Sequence, residues 1–546
     1  MPEPILGPVP DHSHPLAFEL DGLPVEIADP EGRSLLDVIR EDLGATVAKD
    51  GCSPQGQCGC CTVLVDGAPR VSCVTPARRV AGRSVTTMDG LDPAIRDAWA
   101  GALCATGGSQ CGFCTPGIVV RLEGLRAKTG DLDRATAASA LGAHLCRCTG
   151  WQTVLEAAAL ATAALAGGEP VPSWPGTRDV EAAAARAEIE GGAPQRVSPD
   201  VARGAGGFAD DTSPAGALVA VPDGAGGWAV GETLAEARSA AGTVQGRRTT
   251  VPLRHPLEVP DGEWVATLRT TWVEPAYLEV DASWCEPGGE PASPLANGGA
   301  FGGKHATVVA AAARELADRH GRAVRVVLPR EAVVRTGPKR PPVAAGMRPD
   351  GTGVIRVVAT RSIAERILAA APGLEVVEVD VAGPPTSAAI RAAGWAEAEV
   401  LRAGVRGAAA PVRAPGGGVA EATVEADGTI RVAVRCGRPL DDVVLRSYCI
   451  GAAHMALGWV VNEGIAVDAE GVPLDLTMRS FGVLRAADTP PVVVTIEPDD
   501  ADPVRGSDAV FAAVASAVWL HRGCPQDWPC DRPSADSPPP RPGARP

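Results

Sequence analysis

Aromatic side chains are scarce: the 546 residues include two tyrosines, six phenylalanines and eleven tryptophans. The cores must therefore be built largely from Ala, Val and Leu, and an apolar content of 45 % is enough for a globular protein. Basic blocks are absent as well. Lys and Arg number 50 against 66 Asp and Glu, and a net charge of −16 without a basic run excludes a nucleic-acid surface or a polybasic membrane anchor. Long hydrophobic runs are missing too: Ala157 to Gly168 and Ala509 to Leu520 each stop at 12 residues, short of the roughly 18–20 that span a bilayer. The opening Met1-Pro-Glu-Pro-Ile-Leu-Gly7 has neither a basic n-region nor an apolar h-region. It does not read as a secretory signal, and the cytoplasm is the expected compartment.

What is present is length and cysteine. The chain is long enough for three or four domains at the usual ~100–200 residues each. In a reducing compartment its 15 cysteines, ten of them before residue 150, are expected as ligands more than as disulfide partners. Residues 16–27 alternate around Asp21-Gly22, a hairpin signal, and Ser34 then caps an apolar-periodic helix that Gly44 ends. Thr62-Val63-Leu64-Val65 before Asp66-Gly67 makes a second hairpin. The pattern turns helical near 92–103, 117–127, 133–143 and 152–166. A Gly-, Pro- and Ala-rich stretch to residue 192 reads as a linker, mobile or extended. Beyond it, strands at Gly216 to Val221, Val324 to Leu328, Val354 to Ala359, Thr429 to Arg435 and Val492 to Ile496 interleave with helices at Ala306 to Arg319, Ser362 to Ala371 and Gly451 to Val461. That interleaving predicts an α+β body. The Pro-rich tail from Asp531 predicts disorder. The predicted units are 16–88, 89–168, a linker over 169–192, a body over 193–530 and a tail over 531–546.

Two cysteine patterns carry the chemistry. In the first, Cys52, Cys58, Cys61 and Cys73 are spaced with glycines at 51, 56 and 59. Three ligands on a tight loop and a fourth after the next strand can surround a 2Fe-2S rhomb, while glycines let backbone N–H groups approach the sulfurs. A structural zinc site or reduced structural thiols are the alternatives. In the second, Cys111-x2-Cys114 is followed, after 31 intervening residues, by Cys146-x-Cys148. A CxC pair is awkward for a zinc knuckle, whereas two turns at helix N-termini can offer four sulfurs to two irons.

In these strings, Gln110-Cys-Gly-Phe-Cys-Thr-Pro-Gly117 and Leu145-Cys-Arg-Cys-Thr-Gly150 among them, residues 16–165 resemble the iron-sulfur subunit or domain of the xanthine oxidase and aldehyde oxidase family of molybdenum hydroxylases. The resemblance implies a β-grasp ferredoxin domain whose 2Fe-2S cluster is held by Cys52, Cys58, Cys61 and Cys73. It also implies a four-helix domain whose cluster is held by Cys111, Cys114, Cys146 and Cys148, with Gln110 facing a pterin. The family has four residues between its first two ligands; here there are five, with an extra Cys60 that could replace Cys58 or Cys61. Cys104 matches no ligand and is expected as a buried thiol.

The loop Gly298-Gly299-Ala300-Phe301-Gly302-Gly303-Lys304 resembles the family's molybdopterin contact, expected to open the helix from His305 and offer backbone donors to an anion. Arg322 to Arg330 and Thr336 to Arg340 also resemble the family in the same order, and weaker likenesses run from Gly191 to Thr212 and from Gly451 to Glu463. Everything after the linker is nevertheless about half as long as a family large subunit, so the body is a reduced molybdopterin-domain relative. Where the family carries a Gly-Glu general base, this chain reads Gly506-Ser-Asp-Ala, so no catalytic residue is assigned. Asp508 is a substitute base or a helix cap, and His305 and His454 are expected in the core or in solvent. No flavin or dinucleotide motif is visible, placing FAD on another chain. Three readings follow. The chain is an electron-transfer component of a molybdenum hydroxylase, with a molybdopterin-binding large subunit and an FAD-binding subunit as partners; or a self-contained molybdopterin oxidoreductase; or a non-catalytic redox-sensing or cofactor-delivery protein.

Overall fold

A computed structural model describes residues 15–28, 32–242, 251–497 and 499–532. The reading of residues 1–7 as free of a signal, and that of the tail beyond 532 as disordered, lie outside the described residues.

The chain folds as a mixed α/β multidomain protein. Its first sheet takes β1 (Leu16–Leu20), β2 (Leu23–Ile27), β3 (Thr62–Val65), β4 (Ala68–Val71) and β5 (Ser84–Thr86) in the order β2-β1-β5-β3-β4. Both hairpins turn where expected, at Asp21-Gly22 and Asp66-Gly67, with β1 and β5 parallel between them. Ser34 caps the following helix in a reciprocal box with Asp37. The helix is shorter than expected, Leu35–Asp37, and loosens into a π-turn over Val38–Asp42. Helices Pro93–Thr106, Thr115–Thr129, Arg134–Ala140 and Gln152–Leu165 follow, each within a few residues of the apolar periodicity that predicted it.

The second half builds three four-stranded sheets from strands β6 to β17 in chain order. The first holds Leu218–Pro222, Trp228–Gly231, Asp281–Cys285 and Val324–Leu328, and the second Ala266–Arg269, Val343–Met347, Gly353–Val358 and Leu374–Val379. The third is formed by Val412–Arg413, Val419–Val424, Ile430–Arg435 and Val492–Ile496. Against this last sheet pack the helices Asp442–Val461 and Ser507–His521. Asp442–Val461, with 20 residues, is long and apolar enough to cross a membrane, yet 83 % of its most apolar window is buried inside the protein. It begins nine residues before its expected start at Gly451, because Asp441 accepts from the Val444 N–H and sets the first turn there.

Part of the expected linker is a packed helix, Val180–Gly191. Asp179 caps it, Ala183 and Ala187 bury against Val444 and Tyr448, and Gly192 ends it in the left-handed conformation. Arg186 is wholly buried; it donates to Glu190 at 3.0 Å and to the carbonyls of Pro439, Arg438 and Val504. An Ala- and Glu-rich composition reads as a loose connection only while its charges are assumed to face water. Here they neutralise each other inside.

Candidate metal centres

The first cysteine loop lies between the Ser34-capped helix and β3. Cys52, Cys58, Cys61 and Cys73 are all at most 5 % exposed. The Cys52 thiol is hydrogen-bonded by Cys58 and Cys73 and held well below the usual thiol range, and Cys73 also reaches Cys61. Backbone N–H groups add to this: Gln55 donates to Cys52 Sγ at 3.2 Å and Cys73 to Cys61 Sγ at 3.5 Å. Such donors stabilise thiolates and tune a bound cluster's potential.

The second set comes from two turns. Cys114 stands immediately before the helix Thr115–Thr129, and Cys146 and Cys148 lie just ahead of Gln152–Leu165. Cys148 Sγ lies 3.6 Å from Cys111 Sγ, close to the ~3.8 Å between sulfurs sharing a tetrahedral metal with bonds near 2.3 Å. Cys114 and Cys146 form the other pair, and hydrogen bonds from Cys114 and Thr149 draw the Cys146 thiol down to about 6. Among the described residues no three of His, Cys, Asp and Glu are placed to hold a single metal ion. Thiols gathered as two pairs suit two bridged irons better than one zinc tetrahedron, so the donor sets fit 2Fe-2S clusters.

The two sets touch. Leu145 N–H donates to the Cys58 carbonyl at 3.0 Å, joining one ligand loop to the residue before Cys146. His144 packs on Gly59, where a Cβ would collide with its ring, and its Nε2 is hydrogen-bonded with Thr62 Oγ1 at 3.1 Å.

Gln110 is buried; its side-chain amide donates to the Cys148 carbonyl at 3.1 Å and to Ser447 Oγ at 2.9 Å, while its Oε1 has no partner. Of the glycine-rich loop, Gly299 lies at the second set. Its φ is +86°, and a Cβ would stand 3.2 Å from both Cys111 and Cys148 Sγ. Asn297, one residue before the loop, donates to the carbonyls of Gln110 and Cys111. The rest of the loop faces protein: Gly298 meets Gln195, Ala300 is buried, Phe301 lies under the Arg391 guanidinium at 4.7 Å, Gly302 abuts the Ala389 carbonyl and Gly303 the Tyr277 ring. Lys304 turns inward to Glu279 at 3.0 Å and to the Val280 and Pro294 carbonyls. The expected helix start at His305 is displaced. The helix runs Val309–His320, so its N-terminus does not directly follow Lys304.

Molybdopterin does not fit the space beside this loop. The cavity lined by Cys111, Cys148, Glu279, Gly299 and Ala300 measures about 10 Å³, and its neighbour beside Phe301 and Arg391 about 20 Å³, against the ~300 Å³ or more of an ordinary ligand pocket. Asp508 is engaged by Arg391 at 3.1 Å and by Arg505 at 3.4 Å, so it serves as an ion-pair partner. A separate cavity of about 960 Å³ is lined by Leu457, Val461, Leu484, His521 and their neighbours, with no cysteine among them.

Sequence reasoning missed Arg147, the residue between Cys146 and Cys148. It makes a bidentate pair with Glu463 at 2.6 and 2.7 Å and donates to the Pro275 carbonyl at 2.9 Å. The CxC spacing marks its neighbours as ligands and says nothing of a partner more than 300 residues away. His305 is exposed. His454 is a core residue whose Nε2–H donates to the Leu484 carbonyl at 3.2 Å. Burial and the nearby Arg147 push its pKa down to about 4. The folded state therefore keeps His454 neutral while the unfolded chain takes up a proton below its ordinary 6.5. This contribution is complete above pH 6.5 and is lost as pH falls toward 4, about 2 kcal/mol of it by pH 5. Urea midpoints at pH 7 and 5 should show that loss in the wild type and a loss smaller by that amount in His454→Gln; equal losses would place the titration elsewhere. Cys104 is buried, its thiol pushed up to about 12 by burial. Cys285, Cys436, Cys449, Cys524 and Cys530 are unlinked thiols apart from both sets.

Comparison with known proteins adds four findings. Residues 87–159 match the [2Fe-2S] binding domain family. The chain is 33 % identical over 162 residues to a probable xanthine dehydrogenase subunit of Bacillus subtilis (strain 168), covering 30 % of this chain and 93 % of that protein. It is 40 % identical over 145 residues to the aldehyde oxidoreductase of Megalodesulfovibrio gigas, but this is only 15 % of that protein. Among solved structures, the aldehyde oxidoreductase from Desulfovibrio gigas superposes with a TM-score of 0.68 over 92 % of this chain and 97 % of that one. At 15 % sequence identity this last likeness is one of fold alone. Because it covers 93 % of the Bacillus subtilis subunit at 33 % identity, the chain belongs to the xanthine dehydrogenase and aldehyde oxidoreductase family of molybdenum hydroxylases and is an oxidoreductase of that family.

Proposed function

We propose that this protein is the iron-sulfur electron-transfer component of a molybdenum hydroxylase complex. Electrons leave a molybdenum centre on a partner large subunit, pass through a 2Fe-2S cluster held by Cys111, Cys114, Cys146 and Cys148, and then through one held by Cys52, Cys58, Cys61 and Cys73. FAD on a further subunit accepts them. In this reading residues 16–88 and 89–168 carry one cluster each, and 193–530 serve as scaffold and docking module. The observation that carries it is the backbone hydrogen bond that joins the two cysteine-bearing loops, Leu145 N–H, next to Cys146, to the Cys58 carbonyl at 3.0 Å. The clusters, when bound, supply the one-electron chemistry. The chain's part is to fix their separation, to donate hydrogen bonds to their sulfurs from Gln55 and Cys73, and to exclude water.

A second reading, a self-contained molybdopterin oxidoreductase, rests on the fold likeness to an aldehyde oxidoreductase and on the unpartnered Gln110 Oε1 beside the second set, and requires the closed space beside Gly299 to open. Counting iron, sulfide, molybdenum and pterin in the chain expressed alone separates the two, with EPR of the dithionite-reduced sample. We expect about four irons, two distinct 2Fe-2S signals and no molybdenum. Stoichiometric molybdenum and pterin would overturn the first reading in favour of the second.

A further inference from the structure

Among the described residues, ten buried Lys and Arg side chains are paired with a carboxylate, and an eleventh, Arg330, is not. Arg330 is 1 % exposed. Its Nη2 donates to the Gly51 carbonyl at 2.8 Å and to the Leu278 carbonyl at 3.2 Å, while its Nε and Nη1 have no partner. The carboxylates around it are taken: Glu279 lies 3.0 Å from Lys304, Glu274 lies 2.9 Å from Lys339, and Glu331 accepts from Gln55. A buried charge without a counter-charge is strongly unfavourable. The place of this guanidinium therefore implies a negative charge that the surrounding side chains do not supply. Both of its carbonyl partners border the cysteine sets. Gly51 precedes Cys52, and a Cβ there would stand 3.2 Å from the Cys58 and Cys60 sulfurs and 3.1 Å from the Phe113 ring. Leu278 lines the small cavity it shares with Cys111, Cys114 and Cys148.

We propose that Arg330 is the counter-cation of the ferredoxin-type cluster: it raises that cluster's reduction potential and so favours the electron's step onto it from the second cluster. This rests on the reading that Cys52, Cys58, Cys61 and Cys73 hold a 2Fe-2S cluster. Four thiolates leave such a cluster anionic, and the electron it accepts adds one more negative charge, with no bond made or broken. A fixed cation beside it stabilises the reduced form more than the oxidised one. The shorter of the two hydrogen bonds, to the residue before Cys52, ties the guanidinium to the first set more closely than to the second. Arg330 opens the helix Arg330–Thr336 directly after the strand Val324–Leu328, so the charge is carried on regular structure and is held in place when the electron arrives.

The test is a redox titration of the iron-loaded full chain, followed by EPR of both 2Fe-2S signals, in the wild type, Arg330→Gln and Arg330→Lys. The second cluster's signal is the one that Cys114→Ala removes. Both Arg330 variants keep a donor for the carbonyls, and only Arg330→Lys keeps the charge. We expect Arg330→Gln to lower the reduction equilibrium constant of the ferredoxin-type cluster about tenfold, ~59 mV for one electron, with a smaller shift in the second cluster, and Arg330→Lys to stay near the wild type. An unchanged first cluster in Arg330→Gln, an equal shift in both clusters, or the same shift in Arg330→Gln and Arg330→Lys overturns the proposal. Should Arg330→Gln lose both signals, Arg330→Met, which leaves no donor unpaired, is titrated with the same expectation. Loss of both signals there as well would show that the guanidinium is needed for folding itself, and overturns the proposal too. A wild-type chain that lacks the ferredoxin-type signal would instead refute the underlying cluster assignment.

Discussion

Cys114→Ala is expected to halve the iron of the protein, from about four atoms per chain to about two, and to erase one of its two EPR signals. Cys114 and Cys146 are mutual neighbours at 7 % and 1 % exposure, so removing one leaves the other without its pair. Three thiolates leave one iron of the proposed pair a ligand short; His144 Nε2 is engaged by Thr62 and the Arg147 guanidinium is a cation. In a complex reconstituted with its partners, substrate should then no longer reduce the ferredoxin-type cluster, while dithionite still does. Iron analysis with freeze-quench EPR checks both halves. Full substrate-driven reduction in a chain with half its iron would mean that electrons bypass the second set.

Glu463→Ala should destabilise the protein by about 3–5 kcal/mol, because it strands Arg147 as an unpaired buried charge. The two side chains are 5 % and 1 % exposed and bond through two short, parallel contacts. The pair ties the cysteine turn to the loop after the Asp442–Val461 helix, so the loss falls on the contact between the two halves. Scanning calorimetry should show a fall in midpoint on the order of 10 °C. The double replacement Arg147→Met/Glu463→Leu should recover most of it, since replacing a buried pair by apolar side chains of similar size is often close to neutral. A double variant as unstable as the single would show that the guanidinium's bond to the Pro275 carbonyl matters more than its charge partner.

The cysteine spacings, the two hairpins and the early helices were legible because each is written within a short stretch of chain: Asp21-Gly22 turns a strand back on itself, and Ser34 with Asp37 closes a helix end. The body's interior was not. Gly299 lies against two sulfurs, and a Cβ on Gly451 would collide with the Cys148 carbonyl, contacts that join positions 150 to 300 residues apart and leave no periodic trace. Val180–Gly191 misled for a related reason: Arg186 and Glu190 read as solvent-facing until their burial with Cys436 and Val504 is seen. The glycine-rich loop was legible as a motif but not as an environment. Lys304 is drawn to Glu279, away from the helix it was expected to open, and Gln195, Ala389 and Tyr277 occupy the loop's other sides.

The enclosure of the second set has a consequence for access from outside. Gly299 and the Asp442–Val461 helix cover the turns that carry Cys111 and Cys148, and these sulfurs are at most 7 % exposed. Beside the first set the loop Pro54 to Gln57 is only half-covered, and Val74, packed on Gly56, is 55 % exposed. The first-set cysteines are themselves no more exposed, at most 5 %, so it is this thin, half-covered loop alone that brings dioxygen and small oxidants closer to the proposed ferredoxin-type cluster. Exposure to air should bleach that cluster well before the other, and the order of bleaching gives a way to identify which spectrum belongs to which cluster without changing a residue.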